Sequence, residues 1–121
     1  LSSVNIHASA RGLATIGNAI LQPSSLISKE GLEKANTGLV EKKMFHGFFN
    51  SHFSNAGWNH FKENRFGFIG WMGAGGSVMQ WHPDFQCSFA YTMNMMEISP
   101  TCERARALQS CLIQCLQNKI D

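Results

Sequence analysis

Residues 70 to 77 read Gly70, Trp71, Met72, Gly73, Ala74, Gly75, Gly76, Ser77. Glycine loses more conformational freedom on ordering than any other residue. A chain keeps such a cluster at a strand end where the backbone needs unusual angles or where another group must come close. Gly73, Gly75 and Gly76 therefore require a reason. Phosphate-binding loops fail on spacing. No Gly-x-x-x-x-Gly-Lys-Ser/Thr is present, and Gly73-x-Gly75 is followed by Val78 where a dinucleotide fingerprint places its third glycine. Two readings stay open: a plain hairpin turn, or a strand end that admits a ligand.

The surrounding pattern places the run in a sheet. Three aromatic or β-branched stretches, 66–71, 77–81 and 87–93, are separated by the glycine run and by His82-Pro83-Asp84-Phe85, whose proline and aspartate suit a tight turn. This predicts an antiparallel meander in which Tyr91 is a strand residue. Ala10, Leu13, Ala14, Gly17, Ile20 and Leu21 fall at helical spacing and predict a helix over 8–21, with Asn5 or His7 before it and Pro23 beyond it. Ser28 predicts the cap of a second helix to about residue 35, with Glu30 in its first turn, and Asn36-Thr37-Gly38 ends it. Residues 39–64 show no sustained period and read mostly as loop, with a candidate strand at 58–61. Ser99 and Pro100 predict the start of a last helix, with Glu103 in its first turn. Ala105, Leu108, Leu112, Cys115 and Leu116 predict the face that packs on the sheet. The fold class expected is α+β: an antiparallel meander against a C-terminal helix, preceded by two helices, in one unit over 1–121.

Composition excludes several function classes. Hydrophobic residues make up 44% of the 121 positions and charged residues 15%, which suits a globular chain and not a disordered one. The net charge of +2 comes from ten Lys and Arg spread along the sequence, so there is no basic stripe to neutralise phosphates and nucleic acid is not an expected partner. No apolar stretch approaches the roughly 18 residues of a membrane span. The chain begins at Leu1 with no leader pattern and reads as a segment of a longer protein.

The larger pattern, residues 66–77 followed by Trp81-His82-Pro83-Asp84 and Phe89-Ala90-Tyr91-Thr92-Met93-Asn94, resembles the C-terminal meander of serine β-lactamase-related proteins. That group includes class C β-lactamases, penicillin-binding proteins and family VIII carboxylesterases. Its third catalytic motif is Lys-Thr-Gly or His-x-Gly, and Trp-x-Gly in family VIII, which Trp71-Met72-Gly73 matches. Residues 3–14, with Ala10-Arg11-Gly12-Leu13-Ala14, resemble the small-residue helix that precedes this meander, and Ser28-Lys29-Glu30-Gly31-Leu32 resembles the helix after it. The resemblance implies the C-terminal part of a β-lactamase/transpeptidase-like fold. In it Trp71 and Met72 shape an acyl pocket, Gly73 admits substrate and the Ala74 backbone amide completes an oxyanion hole. Trp71 stands where a cationic or titratable residue is commonest, so recognition of a substrate carboxylate there is not implied.

Acyl transfer of this type needs a Ser-x-x-Lys nucleophile, a Tyr or Ser that moves protons, and oxyanion amides. The residues three before Lys29, Lys34, Lys42, Lys43, Lys62 and Lys119 are Leu26, Gly31, Leu39, Val40, Asn59 and Leu116, so no Ser-x-x-Lys exists. Tyr-x-Asn is absent as well. The chain is thus expected to supply one wall of an active site for an ester, amide or β-lactam substrate and to be inactive alone. The alternative function is a catalytically silent, β-lactamase-like interaction or scaffold domain. A sheet face or edge left uncovered would invite self-association.

Other constellations carry less. His7, His46, His52, His60 and His82, with Cys87, Cys102, Cys111 and Cys115, show none of the Cys-x-x-Cys, His-x-x-x-His or His-Glu-x-x-His spacings, so no metal or cofactor is expected. His82 reads as a solvated turn residue, His46 and His52 as surface residues of an aromatic-rich loop. Met93, Met95 and Met96 read as core filling at a strand end. Four cysteines allow three pairings. Cys111 and Cys115 lie one helical turn apart, a poor geometry for a disulfide, and free buried thiols favour a reducing compartment.

Overall fold

In a computed structural model that describes residues 6–22, 26–44, 49–62, 65–73, 75–97 and 102–118, helix α1 spans Ala10–Leu21. Its N-cap is Ser9, whose hydroxyl accepts from the Gly12 amide at 3.2 Å. The cap expected at Asn5 or His7 therefore moves to the hydroxyl that reaches an orphan amide of the first turn. Helix α2, Lys29–Asn36, carries the expected Ser28 cap (Gly31 amide to Ser28 Oγ, 3.1 Å) and Glu30, which pairs with Lys34 one turn on at 2.8 Å.

Among the described residues six strands follow: β1 (Val40–Met44), β2 (Phe49–Phe53), β3 (Asn59–His60), β4 (Ile69–Met72), β5 (Val78–His82) and β6 (Cys87–Tyr91). They form one antiparallel sheet in sequence order, β1-β2-β3-β4-β5-β6. The meander over residues 66–93 is as the sequence predicts, with the turn at 83–86. The loop expected over 39–64 instead holds three strands. Only β3 coincides with the expected strand at 58–61. The signal was hidden because Val40 to Lys43 are all exposed, which removes the one-face-in alternation that marks a half-buried strand.

Helices cover both faces of the sheet. Ile20 and Leu21 of α1 pack on Ile69 and Trp81, joined by Leu32 of α2, Trp58 and Met79. Each fully buried large side chain there contributes about 1.5–3 kcal/mol relative to exposure. α1 lies close over β6, since a Cβ at Gly17 would sit 3.0 Å from the Ser88 Cβ, and the Ser88 hydroxyl donates to the Ala14 carbonyl at 2.6 Å. The opposite face takes helix α3 (Glu103–Gln117), where Val78, Cys102 and Ala105 cluster with Met72, Phe89 and Tyr91. The fold is α+β, with the C-terminal helix packed on the meander.

α3 departs from the sequence expectation at its start and on its buried face. Ser99 and Pro100 lie outside the described residues, and the helix begins at Glu103 after Cys102, whose φ of 47° is left-handed. The Glu97 carboxylate accepts from the Glu103 amide at 3.0 Å, in place of a Ser99 hydroxyl. The buried residues are Ala105, Gln109 and Ile113. Leu108 is 50% exposed and Cys115 is exposed, because the stripe is turned so that a glutamine, and not a leucine, meets the sheet.

Candidate functional site

The glycine run joins β4 to β5. Gly73 donates to the Ser77 carbonyl at 2.7 Å, and Gly76 donates to the Gly73 carbonyl at 3.0 Å. Two of its glycines are demanded by the fold. Gly70 has φ 131° and Gly76 has φ 96°, with Met93 and Glu97 crowding the latter. Gly73 is different. Its φ is not in the left-handed region, and a Cβ there would meet only the Ser77 carbonyl oxygen at an ordinary 3.6 Å. Neither backbone nor packing requires glycine at 73, which is exposed.

β3 covers only part of β4. It pairs at Asn59↔Gly70 and His60↔Ile69, and the Phe61 amide donates to the Phe68 carbonyl at 2.9 Å. Backbone groups alternate between the two sides of an antiparallel strand, so Phe68, Gly70 and Met72 turn theirs toward β3. β3 ends before Met72, and among the described residues no strand on the β3 side pairs with that end of β4.

Trp71 and Met72 project to opposite sides. Met72 packs into the cluster under α3, with its sulfur 3.6 Å from an Arg65 nitrogen. Trp71 lies on the α1 side of the sheet, 47% exposed, and its ring lies 5.5 Å from Phe53 at 31°. The side chain of Met72 thus supports the strand from behind while Trp71 and Gly73 front the open end. Ala74 lies outside the described residues. Phe53 carries no sequence signal of this role, because residues 39–64 show no sustained period.

Behind β4 lies a buried polar chain. Arg65, 2% exposed, donates to Gln109 Oε1 at 2.8 Å and to the Cys102 carbonyl at 3.3 Å. Gln109 donates to Gln80 Oε1, and both glutamines are fully buried. Burial lowers the Arg65 pKa, partly offset by Cys102 and Glu103. The Cys102 thiol reaches the Gly73 carbonyl at 3.6 Å, and its pKa is raised by burial against the opposing pull of Arg65. This chain ties α3 to the glycine run.

The histidines divide. His46 lies outside the described residues. His82, expected to be solvated, is buried: its Nε2 donates to the Phe66 carbonyl at 2.9 Å and its Nδ1 accepts from the Phe85 amide at 3.3 Å. It rings the core with Phe68 and Phe85. His52 sits 4.0 Å from Glu41. His60 is half-buried, its Nε2 has no hydrogen-bond partner among the described residues, and burial, with His52 adding repulsion, lowers its pKa. The unfolded chain therefore takes up this proton first. Stability present above about pH 6.5 is lost as pH falls below it, until the folded ring also protonates. Urea titrations of the parent and of His60→Gln at pH 7.5 and 5.5 should show a smaller acid loss in the variant, and equal losses would refute the assignment.

Met95 and Met96, expected as core, are exposed, and Met93 and Met96 border Gly76 and Gly75. Tyr91 is a β6 residue, as expected. All four cysteines are free thiols, with Cys102 buried and Cys111 and Cys115 exposed. Among the described residues no group of three or more His, Cys, Asp or Glu could hold a metal ion, and no helix is long and apolar enough to cross a membrane. Compared with family models, with curated proteins and with solved structures, the chain matches none.

Proposed function

We propose that this chain is the C-terminal lobe of a serine hydrolase of the β-lactamase and esterase type, and that the open end of β4 is where its substrate lies. The observation that carries the reading is Gly73: an exposed glycine that neither backbone nor neighbours require, next to the end of β4 that no strand on the β3 side pairs with among the described residues, beside an exposed Trp71. An extended acyl group can add along such an edge as a further strand does. Trp71 and Phe53 then form an aromatic shelf for its apolar part, and the Ala74 amide serves as an oxyanion donor, worth roughly 3 kcal/mol in the transition state. The substrate class is a small ester, amide or β-lactam. The nucleophile and proton carrier come from a Ser-x-x-Lys and a Tyr-x-Asn outside these 121 residues. The β6 edge, which no further strand pairs with among the described residues, is the proposed place for self-association or for pairing with another part of the same protein.

The 121-residue chain alone is expected to show no turnover of p-nitrophenyl butyrate. Turnover that disappeared on mutating a residue within it would overturn this. In the longer protein Gly73→Ala should leave folding intact, with stability raised by up to about 0.5–1 kcal/mol. The same change should lower kcat/KM at least about 10-fold by crowding the edge that positions the substrate. An unchanged rate would sink the proposal, and loss of stability would return Gly73 to a purely structural role.

A further inference from the structure

Helix α3 turns a second stripe outward, carrying Arg104, Leu108, Cys111 and Cys115, all exposed. Cys111 and Cys115 are free and four residues apart on a continuous helix. Residues at that spacing share a face with Cβ atoms about 5–6 Å apart. A disulfide needs about 3.5–4.5 Å, so the helix keeps the two sulfurs from bonding directly while presenting both to the same side. An ion between them spans the gap with two metal–sulfur bonds of about 2.3 Å, the zinc–thiolate length. No third or fourth His, Cys, Asp or Glu joins the pair among the described residues, so a closed four-ligand zinc site is not formed. An ion satisfied by two soft sulfurs fits what is present, and thiolates select monovalent copper among such ions.

We propose that Cys111 and Cys115 form a two-thiolate site for Cu(I) on the outer face of α3. Binding is ligand exchange without redox change: two thiols each lose a proton to solvent and two copper–sulfur bonds form, giving a complex of net charge −1. Arg104, two turns earlier on the same stripe, supplies positive charge on that side. The site is independent of the hydrolase reading, because it lies on the helix surface turned away from the sheet.

The test is an anaerobic titration of the chain with Cu(I) in competition with bicinchoninate. The expected result is one ion per chain. Cys111→Ser and Cys115→Ser should each weaken binding at least about 100-fold, more than the 10–100-fold typical of losing an outer-shell partner. Cys87→Ser should leave binding unchanged, and X-ray absorption should report two sulfur neighbours. Both thiols are solvent-facing, so far-ultraviolet circular dichroism should be unaltered in the serine variants. Retained binding in either variant, dependence on Cys87, or one ion per two chains would overturn the proposal.

Discussion

Gly70→Ala is expected to abolish the folded state or to lower its stability by at least about 4 kcal/mol, against a total of about 5–15 kcal/mol for a domain. Gly70 sits in β4 with φ 131°, where a side chain is strained whatever the space. There is also no space: the added Cβ would lie 2.5 Å from the Met79 carbonyl oxygen, 3.0 Å from the Gln80 Cα and 3.1 Å from the Trp81 ring. Two of those three atoms are backbone of the paired strand β5, so relief requires separating β4 from β5 beneath the α1 cluster. Gly57→Ala is the control, since Gly57 has φ 74° but nothing within 4 Å of its Cβ position. It should cost only the left-handed penalty, about 1–2 kcal/mol. Urea denaturation of both variants separates conformational strain from packing. A Gly70→Ala loss no larger than that of Gly57→Ala would show that β4 and β5 can part cheaply.

Arg65→Ala is expected to destabilise the protein by about 3–5 kcal/mol. It removes hydrogen bonds from a charged donor, each worth about 1.5–3 kcal/mol, and leaves Gln109 Oε1 without that donor in a dry interior. Gln80 already holds a buried Nε2 with no partner among the described residues, so the chain of amides has no slack to reorganise. Arg65→Lys should recover only part of the loss, because a single ammonium lacks the planar fork that serves Gln109 and the Cys102 carbonyl together. Chemical denaturation of the parent, Arg65→Ala and Arg65→Lys measures this directly. A loss below 1 kcal/mol for Arg65→Ala would mean that water substitutes for the guanidinium and that α3 is held by its apolar contacts.

Much of the fold could be read from the residues, and the gaps have physical causes. Helix α2 and the strands β4 to β6 were legible because a capping serine, alternating aromatics and the Pro83-Asp84 turn act locally. β1 was not, since a strand exposed on both faces carries no periodicity. The buried face of α3 was misplaced because hydrophobic spacing points leucines inward. It cannot anticipate that Gln109 is admitted by Arg65, 44 residues earlier, and Gln80, 29 residues earlier. For the candidate site, the glycine run and Trp71 were legible as a cluster. The division of labour within it was not: Gly70 and Gly76 serve the backbone, Met72 faces away from Trp71, and Phe53 joins from β2.

The sheet is assembled from neighbours in sequence, yet its first helix is covered by its last strand. The Ala14 carbonyl waits for the hydroxyl of Ser88, 74 residues downstream. At a synthesis rate of about 5–20 residues per second, roughly 4–15 s pass before β6 exists to receive α1. Hairpins can zip in order as the chain emerges, while Ile20 and Leu21 remain wet until Ile69 of β4 and Trp81 of β5 have followed. The nascent polypeptide is thus exposed to chaperones and to misassociation at its oldest helix, and a ribosome stalled before β6 would hold a nearly finished sheet with its α3 face bare and α1 without its tie to Ser88.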